Sequence, residues 1–328
     1  MNRILVTGAT GFLGSHVVRA LVGRGTAVVA TGRDGSKAPP ATEGLTFVAA
    51  DLSNASDVER LREEAGLIDA VVHAAALSAP WGSCAAFHSA NVIATEHMLE
   101  LARSSGARRF VHISTPSVYF RFEDQLDVRE SDPLPKPVNL YAATKRKAEE
   151  LVLNADALDG FILRPRGLYG AGDTALLPRL IRAARQRPLP LLRNGQAMTD
   201  LTHVTDAAQA ILAALDAPPG ARGIYNISGG IPLRLKDVID RACERSGITA
   251  RWRSMSMTTT LAAARAMEWA CACLPSRPEP PITAYGVGVL AFSQTLNIDA
   301  ARHSLGWTPN IGFDEGLDLT FGKDPHGA

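Results

Sequence analysis

Short apolar, β-branched runs alternate along this chain with longer segments of helical periodicity. Ile4–Val6 is one such run and predicts a strand buried on both faces. Gly8, Gly11 and Gly14 follow it, and then Phe12, Leu13, Val17, Val18, Leu21 and Val22 form an apolar stripe at helical spacing. The opening therefore predicts strand, glycine turn, helix. Further strands are predicted at Thr26–Ala30, Thr46–Ala49, Ala70–Ala74, Arg109–Ser114 and Gly160–Leu163. Helical patterns lie between them, around Asp57–Ala65, Asn91–Ser105 and Tyr141–Ala155. Such alternation specifies an α/β fold with a doubly wound parallel sheet and helices on both faces. Past residue 165 the pattern is less regular and richer in proline, as suits a smaller, mixed C-terminal lobe closing over the carboxyl ends of the strands. Residues 1–165 with about 200–228 are expected to form the sheet domain. About 166–199 and 229–328 are expected to form the lobe that takes substrate.

The glycines give this opening a chemistry. A strand–turn–helix junction presents backbone N–H groups and the positive end of a helix dipole to a pyrophosphate. Gly8 would allow the tight turn, Gly11 the close approach of phosphates, and Gly14 the packing of helix on strand. The spacing is Gly-x-x-Gly-x-x-Gly rather than Gly-x-Gly-x-x-Gly. The second strand ends in Thr31-Gly32-Arg33-Asp34, near where an acid would bind the ribose diol of NAD. Gly32 followed by Arg33 instead suits a 2′-phosphate, so NADP(H) is the preferred cofactor. NAD(H) is the alternative, because a register shift of one residue would make Asp34 the diol ligand. Asp51-Leu52, just after the third strand, is placed for the adenine amino group; a helix N-terminal acid is the competing reading of Asp51. His73-Ala74-Ala75-Ala76 ends the fourth strand in small side chains against which a cofactor can lie flat, with His73 a structural residue.

Composition removes several other classes. A formal charge of +1 over 328 residues gives no footprint for nucleic acid. Cys84, Cys243, Cys271 and Cys273 form no Cys-x-x-Cys pair, and no histidine pair has ligand spacing, so reduced thiols, a cytoplasmic location and no metal site are expected. The apolar run after Arg3 breaks at Gly8, which argues against a signal peptide. No stretch reaches the roughly 18 apolar residues of a membrane-spanning helix.

Two later segments carry the candidate chemistry. Ile113-Ser114-Thr115-Pro116-Ser117-Val118-Tyr119 places hydroxyls after the fifth strand, and Tyr141-Ala142-Ala143-Thr144-Lys145 opens a helix. The four-residue spacing puts the Tyr141 phenol and the Lys145 ammonium on one helix face. A phenol titrates at about 10 in isolation, and a neighbouring ammonium, with the positive nicotinamide of an oxidised cofactor, is expected to lower that value toward useful proton transfer. Tyr141 could then exchange a proton with a carbonyl or alcohol oxygen held by Thr115.

These residues together resemble a family. Thr-Gly-Ala-Thr-Gly-Phe-Leu-Gly, His-Ala-Ala-Ala, Ser-Thr-Pro-Ser-Val-Tyr, Tyr-Ala-Ala-Thr-Lys, Arg164-Pro165-Arg166-Gly167-Leu168-Tyr169-Gly170, Asp200-Leu201-Thr202-His203-Val204-Thr205-Asp206 and Leu305-Gly306-Trp307-Thr308-Pro309 are similar to motifs of the extended short-chain dehydrogenase/reductases. The resemblance covers nearly the whole chain. It implies a Rossmann-type sheet, Thr115, Tyr141 and Lys145 as catalytic residues (with Ser114 and Ser117 as neighbouring candidates), and a homodimer. It also implies cofactor contacts from Gly8, Thr10, Gly11, Phe12, Leu13 and Gly14. Arg33, Asp51, Leu52, Ala74, Ala75, Ala76, Tyr141, Lys145 and Arg164 would complete that site, with Arg164 beside the nicotinamide end.

Within the family, nucleotide-sugar epimerases carry an arginine where this chain has Thr199, and a buried diphosphate needs paired positive charge. Arg166, Arg179, Arg182 and Arg193 are possible substitutes. Pro80-Trp81-Gly82-Ser83, the Ser-Thr-Pro-Ser hydroxyls, Pro280-Pro281-Ile282-Thr283 and Phe292-Ser293-Gln294-Thr295-Leu296 resemble instead the branch of 3β-hydroxysteroid dehydrogenases and 2-alkyl-3-oxoalkanoate reductases. That implies reduction of a β-keto group on an apolar small molecule, or the reverse oxidation. The rivals are a sugar-nucleotide epimerase or dehydratase with bound NAD, and an NADP(H)-sensing regulator without turnover. Leu261–Leu274 is expected to be either an ordinary packed helix or an apolar flap able to touch a membrane surface, and Pro275–Pro281 a stiff connector. Phe120–Val138 is expected to be an active-site rim or a solvated connector. Asn91 is read as a helix cap, or else as a relay or positioning residue.

Overall fold

The computed structural model describes residues 3–275 and 277–322. Its centre is a seven-stranded sheet built from β1 (Arg3–Thr7), β2 (Ala27–Gly32), β3 (Leu45–Ala49), β4 (Ala70–His73), β5 (Arg109–Ile113), β6 (Asp159–Pro165) and β7 (Gly223–Ile227). The order is β7-β6-β5-β4-β1-β2-β3 and every pairing is parallel. Each predicted strand appears within a residue or two of its expected place. The seventh, β7, lies in the stretch assigned to the sheet domain but was not singled out as a strand.

Chain alternation explains the layering. Ile4 and Val6 face one side of the sheet, where Val17, Val18 and Leu21 of helix Phe12–Gly23 meet Ala208, Ile211 and Leu215 of helix Val204–Asp216. Leu5 faces the other side with Val29, Val71, Phe110 and Ile162, covered by Leu61, Met98 and Leu101. Because β1 lies between β2 and β4, the strand order reverses there, and the carboxyl ends of β1 and β4 border one crevice. The glycine turn after β1 and the alanines after β4 therefore share it.

The predicted helix over Asn91–Ser105 begins earlier than expected. Ser83 caps a segment starting at Cys84, a π-helical turn occupies Ser89–Ile93, and Ala94–Ser104 continues as α-helix. The smaller lobe is mixed, as expected. Its four-stranded sheet runs Leu233–Arg234, Met198–Thr199, Gln294–Leu296, Gln125–Val128. The segment Phe120–Val138 is thus more than a rim or connector, since Gln125–Val128 pairs with Gln294–Leu296 and ties the lobe to the sheet domain. Helix Met257–Cys273 packs on one side only, with Ala264 against Leu192, Val287 and Ala291, while Trp269 is 73% exposed. Of the proline-bounded connector that follows, Ser276 lies outside the described residues. Among the described residues no helix is long and apolar enough to cross a membrane.

Candidate active site

The glycine turn is shaped for a close ligand. Gly8 has φ +65°, and a Cβ there would lie 2.8 Å from Ala75 N, while a Cβ on Gly14 would lie 2.1 Å from Gly8 O. Neither position tolerates a side chain. Gly11 is the extended N-cap of helix Phe12–Gly23 and no side chain caps that helix, so the first-turn N–H groups are left for a ligand. Leu13 is buried under the turn, and Phe12 packs edge-on to His16. A Cβ at Gly32 would come within 2.7 Å of Thr10 Oγ1, which is why the end of β2 carries glycine. The cradle fits a dinucleotide on geometry alone.

Around the adenosine end, Asp34 Oδ1 accepts from Ser36 N (3.0 Å) and Ser36 Oγ (2.6 Å), and Lys37 lies 3.6 Å from Oδ2. Those bonds hold Asp34 in its own turn. Arg33 is exposed and has no ion-pair partner among the described residues. Asp51 is not the helix cap, because Asn54 Oδ1 accepts from Ser56 N and caps Ala55–Ala65. Asp51 Oδ1 instead receives Ser53 N and Oγ at 3.0 and 2.8 Å. Leu52 is buried beside it and its carbonyl meets His97 Nδ1 at 2.8 Å.

After β4, His73 is fully buried between Thr7 Oγ1 (2.9 Å to Nδ1) and Thr95 Oγ1 (3.1 Å to Nε2). Burial pushes its pKa down to about 3, so it stays neutral and bridges two elements. Ala75 N donates to Thr7 Oγ1 (3.1 Å), which sets the alanine run against the glycine turn. Asn91 is not a helix cap. It is buried in the π-helical turn, where Oδ1 accepts from Leu77 N (2.7 Å) and Nδ2 donates to Thr144 Oγ1 (3.0 Å). It clamps the loop after β4 to the helix that carries Tyr141 and Lys145, and π turns recur at such sites.

Asn139 caps helix Leu140–Leu153 through Ala142 N (2.8 Å) and so starts it one residue before Tyr141. The Tyr141 phenol lies beside the hydroxyls of Ser78 and Thr115. Burial raises its pKa and those hydroxyls pull it back only in part. The expected lowering by a neighbouring ammonium is absent in the protein alone, because Lys145 is turned inward. Its Nζ donates to Ile113 O (2.6 Å) and His112 Nε2 (2.9 Å), and burial brings its pKa down to about 7. Thr115 Oγ1 donates to Ser117 Oγ (3.0 Å), and Ser117 Oγ lies 2.7 Å from the Tyr285 hydroxyl. Of the three neighbouring hydroxyls, Thr115 is the one beside Tyr141; Ser114 Oγ donates to the buried Glu149.

Arg164 requires a correction. It is 1% exposed, donates Nε and Nη2 to Glu149 at 2.8 and 2.6 Å, and bonds the Tyr119 hydroxyl with Nη1. Its guanidinium is consumed by this buried cluster, so its side chain is not a cofactor ligand. Ser78 and Tyr285 are residues the sequence reading missed. Ser78 stands five positions past His73 and Tyr285 enters from helix Ala284–Ala291, so only the fold brings them to Tyr141.

Tyr141 and Tyr285 line a cleft of about 450 Å³ whose walls include Pro80, Trp81, Phe87 and Phe122. Trp81 Nε1 donates to Arg277 O (3.0 Å) and closes one side. Glycine cradle, strand-end alanines and a phenol at the base of a mostly apolar cleft define a dinucleotide-dependent oxidoreductase architecture. Known proteins agree. The model of the NAD dependent epimerase/dehydratase family matches residues 4–228, and the chain belongs to that family. It is 35% identical to the 4-hydroxy-2-methyl-3-oxo-4-farnesyl-3,4-dihydroquinoline-1-oxide ketoreductase of Stigmatella aurantiaca, over 99% of this chain and 97% of that one. The 2-alkyl-3-oxoalkanoate reductase of Stenotrophomonas maltophilia (strain K279a) is also 35% identical, over 96% and 97%. Among solved structures, MoeE5 in complex with UDP-glucuronic acid and NAD superposes with a TM-score of 0.76 at 28% identity, covering 98% of both chains. The protein is an NAD(P)-dependent dehydrogenase/reductase of the extended short-chain type.

Proposed function

We propose that the protein reduces the β-keto group of an apolar substrate, or oxidises the corresponding β-hydroxyl, with NADP(H) preferred. The observation that carries this reading is the Tyr141 phenol, beside the Ser78 and Thr115 hydroxyls and lining the cleft. A bound nicotinamide would supply or accept the hydride. Tyr141 gives its proton to the substrate oxygen in reduction, and its raised pKa keeps that proton in place at neutral pH. Thr115 and Ser78 hold the same oxygen by hydrogen bonds and orient it to Tyr141. Gly8, Thr10, Gly11, Phe12, Leu13 and Gly14 would cradle the pyrophosphate, Asp51 and Leu52 the adenine, Ala74 to Ala76 the flat run of the cofactor, and Lys145 the nicotinamide ribose. Arg33 would take the 2′-phosphate, supported by its lack of an acidic partner among the described residues and by the engagement of Asp34 with Ser36. The one-sided helix Met257–Cys273 supports peripheral contact with an apolar surface. The family resemblance supports a homodimer, and the absence of Cys-x-x-Cys spacing supports a cytoplasmic location.

The second reading, a nucleotide-sugar epimerase with bound NAD, is favoured by the likeness to MoeE5. Against it, Thr199 is buried with its hydroxyl on Asp200 O, and Arg179 and Arg193 are paired with Glu279 and Asp124 at 2.8 and 2.7 Å. That leaves Arg166 and Arg182 as the named cations without an ion-pair partner among the described residues, and neither stands at the position of the epimerase arginine. Oxidation of NADPH and NADH against a 2-alkyl-3-oxo acid, a 3-ketosteroid and a 4-keto sugar nucleotide tests both. Turnover of an oxo acid or ketosteroid with NADPH is expected. Turnover of the sugar nucleotide alone would overturn the proposal.

A further inference from the structure

Arg166 is the buried cation for which the chemistry above has no use. It follows β6 directly, and its backbone N donates to Ile227 O (2.9 Å). Gly167 then takes φ +53°, where a Cβ would meet Leu201 Cδ2 at 2.5 Å, so the chain is locked as it leaves the sheet. The Arg166 side chain is 8% exposed. Its Nε is enclosed without a hydrogen-bond partner, and its terminal nitrogens have none among the described residues. Asp200 is its acidic neighbour, but that carboxylate spends Oδ2 on Leu296 N (2.6 Å) and leaves Oδ1 unpaired, so the two groups are not in ion-pair contact. The other neighbour is the Tyr285 hydroxyl, which also acts on Tyr141 and lies 2.7 Å from Ser117 Oγ. Arg166 therefore sits at the same junction of sheet and lobe as the candidate proton donor. A guanidinium cannot shed its charge at ordinary pH, and one buried without an ion-pair partner carries a desolvation cost that an arriving anion would relieve.

We propose that Arg166, with the Tyr285 and Ser117 hydroxyls, forms a subsite for the carboxylate of the substrate, so that the protein takes β-oxo or β-hydroxy acids rather than neutral ketones. This rests on the reductase reading above and narrows its substrate class. A planar guanidinium suits a carboxylate two carbons from the reacting oxygen, because both oxygens of the acid can be bound in one plane. The apolar cleft beyond Tyr141 then accommodates the alkyl part.

The test uses the stable direction, NADP⁺-dependent oxidation of a 2-alkyl-3-hydroxy acid and of its methyl ester, by wild type, Arg166→Met and Arg166→Lys. Wild type should prefer the acid. Arg166→Met should lower kcat/KM for the acid on the order of 30-fold or more, mainly through KM, and change the ester by no more than a few-fold. Should the Met variant fail to fold, Arg166→Lys keeps the charge without the fork and should lose part of the acid preference only. Equal losses on acid and ester would overturn the subsite and make Arg166 structural. Loss of UDP-glucose binding in Arg166→Met, without any change in acid preference, would overturn it in favour of a diphosphate. A wild type that oxidises the ester but not the acid refutes the subsite and leaves the reductase reading standing. Oxidation of neither substrate, nor of a 3β-hydroxysteroid, refutes both.

Discussion

Replacing Lys145 by methionine should remove a pH-dependent penalty on folding. Lys145 is 1% exposed, its acceptors are His112 Nε2 and Ile113 O, and the charge of Glu149 offsets the burial only in part. Its folded pKa of about 7 lies below the ordinary 10.5. Between those values the unfolded chain holds a proton that the folded protein lacks, so stability rises with pH across that window. Below about 7 both states are protonated and the full penalty is present. The slope approaches ~1.4 kcal/mol per pH unit, and the whole gap corresponds to a ceiling of about 5 kcal/mol. Methionine preserves the length but leaves two acceptors unpaired, which costs about 1–3 kcal/mol each and does not vary between pH 7 and 9, where His112 stays neutral. Urea denaturation of wild type and Lys145→Met at pH 6, 7, 8 and 9 isolates the lysine. Wild type should gain about 2 kcal/mol on the variant between pH 7 and 9, and the two should run parallel below 6. Parallel curves from 7 to 9 would refute the claim that this ammonium is desolvated. If ribose hydroxyls take the ammonium on cofactor binding, that binding raises its pKa, and NADP(H) affinity should fall as pH rises above about 7.

Tyr141→Phe should lower kcat by about 10²–10⁴-fold while leaving the NADP(H) Kd within a few-fold, as read by fluorescence titration; unchanged turnover would remove Tyr141 from the mechanism. Arg33→Ala should weaken NADPH binding by about 10–100-fold and leave NADH unchanged, and equal effects on both would place the 2′-phosphate elsewhere. Glu149→Ala strands the buried Arg164 charge and the Ser114 hydroxyl. It should cost about 3–5 kcal/mol of stability in urea melts, and a loss below about 1 kcal/mol would show that the cluster relaxes to admit water.

What the sequence revealed and what it hid separate along one physical line. Ile4–Val6, the glycine turn and the Tyr141–Lys145 spacing are local patterns, each written in a few consecutive residues. They could be read because Gly8 and Gly14 leave no room for a side chain and because strand alternation buries both faces of β1. The direction of a long side chain is not local. The four-residue spacing predicts that Lys145 flanks Tyr141, yet it turns to the end of β5, where Ile113 O and His112 Nε2 accept its protons. Arg164 was expected beside the cofactor, yet Glu149, fifteen residues earlier on the neighbouring helix, captures it. Tyr285 and Ser78 carried no motif at all, and Asn91 resembled a cap until the π turn placed it inside. Gln125–Val128 read as a rim because its partner strand is Gln294–Leu296, far along the chain.

The three buried cations near the cleft show why the site divides as it does. Arg164 is neutralised outright by Glu149, so its charge is settled within the folded chain and its role is to hold Ser114, Tyr119 and the helix of Tyr141 together. Lys145 has no acid in contact, and an amine can meet that by releasing its proton, which its pKa of about 7 reflects. Arg166 has neither recourse. Its acidic neighbour Asp200 gives Oδ2 to Leu296 N and forms no ion pair with it, and a guanidinium does not deprotonate, although burial pulls its pKa down. One cation is therefore structural, one is tuned for exchange with a bound cofactor, and one awaits a negative charge from outside the chain. That ordering follows from side-chain chemistry and burial alone. Removing the charge at Arg166 should therefore raise the stability of the free protein while it weakens the binding of an anionic substrate. Glu149→Ala lowers stability by the same electrostatics, because it leaves the Arg164 charge buried without its carboxylate.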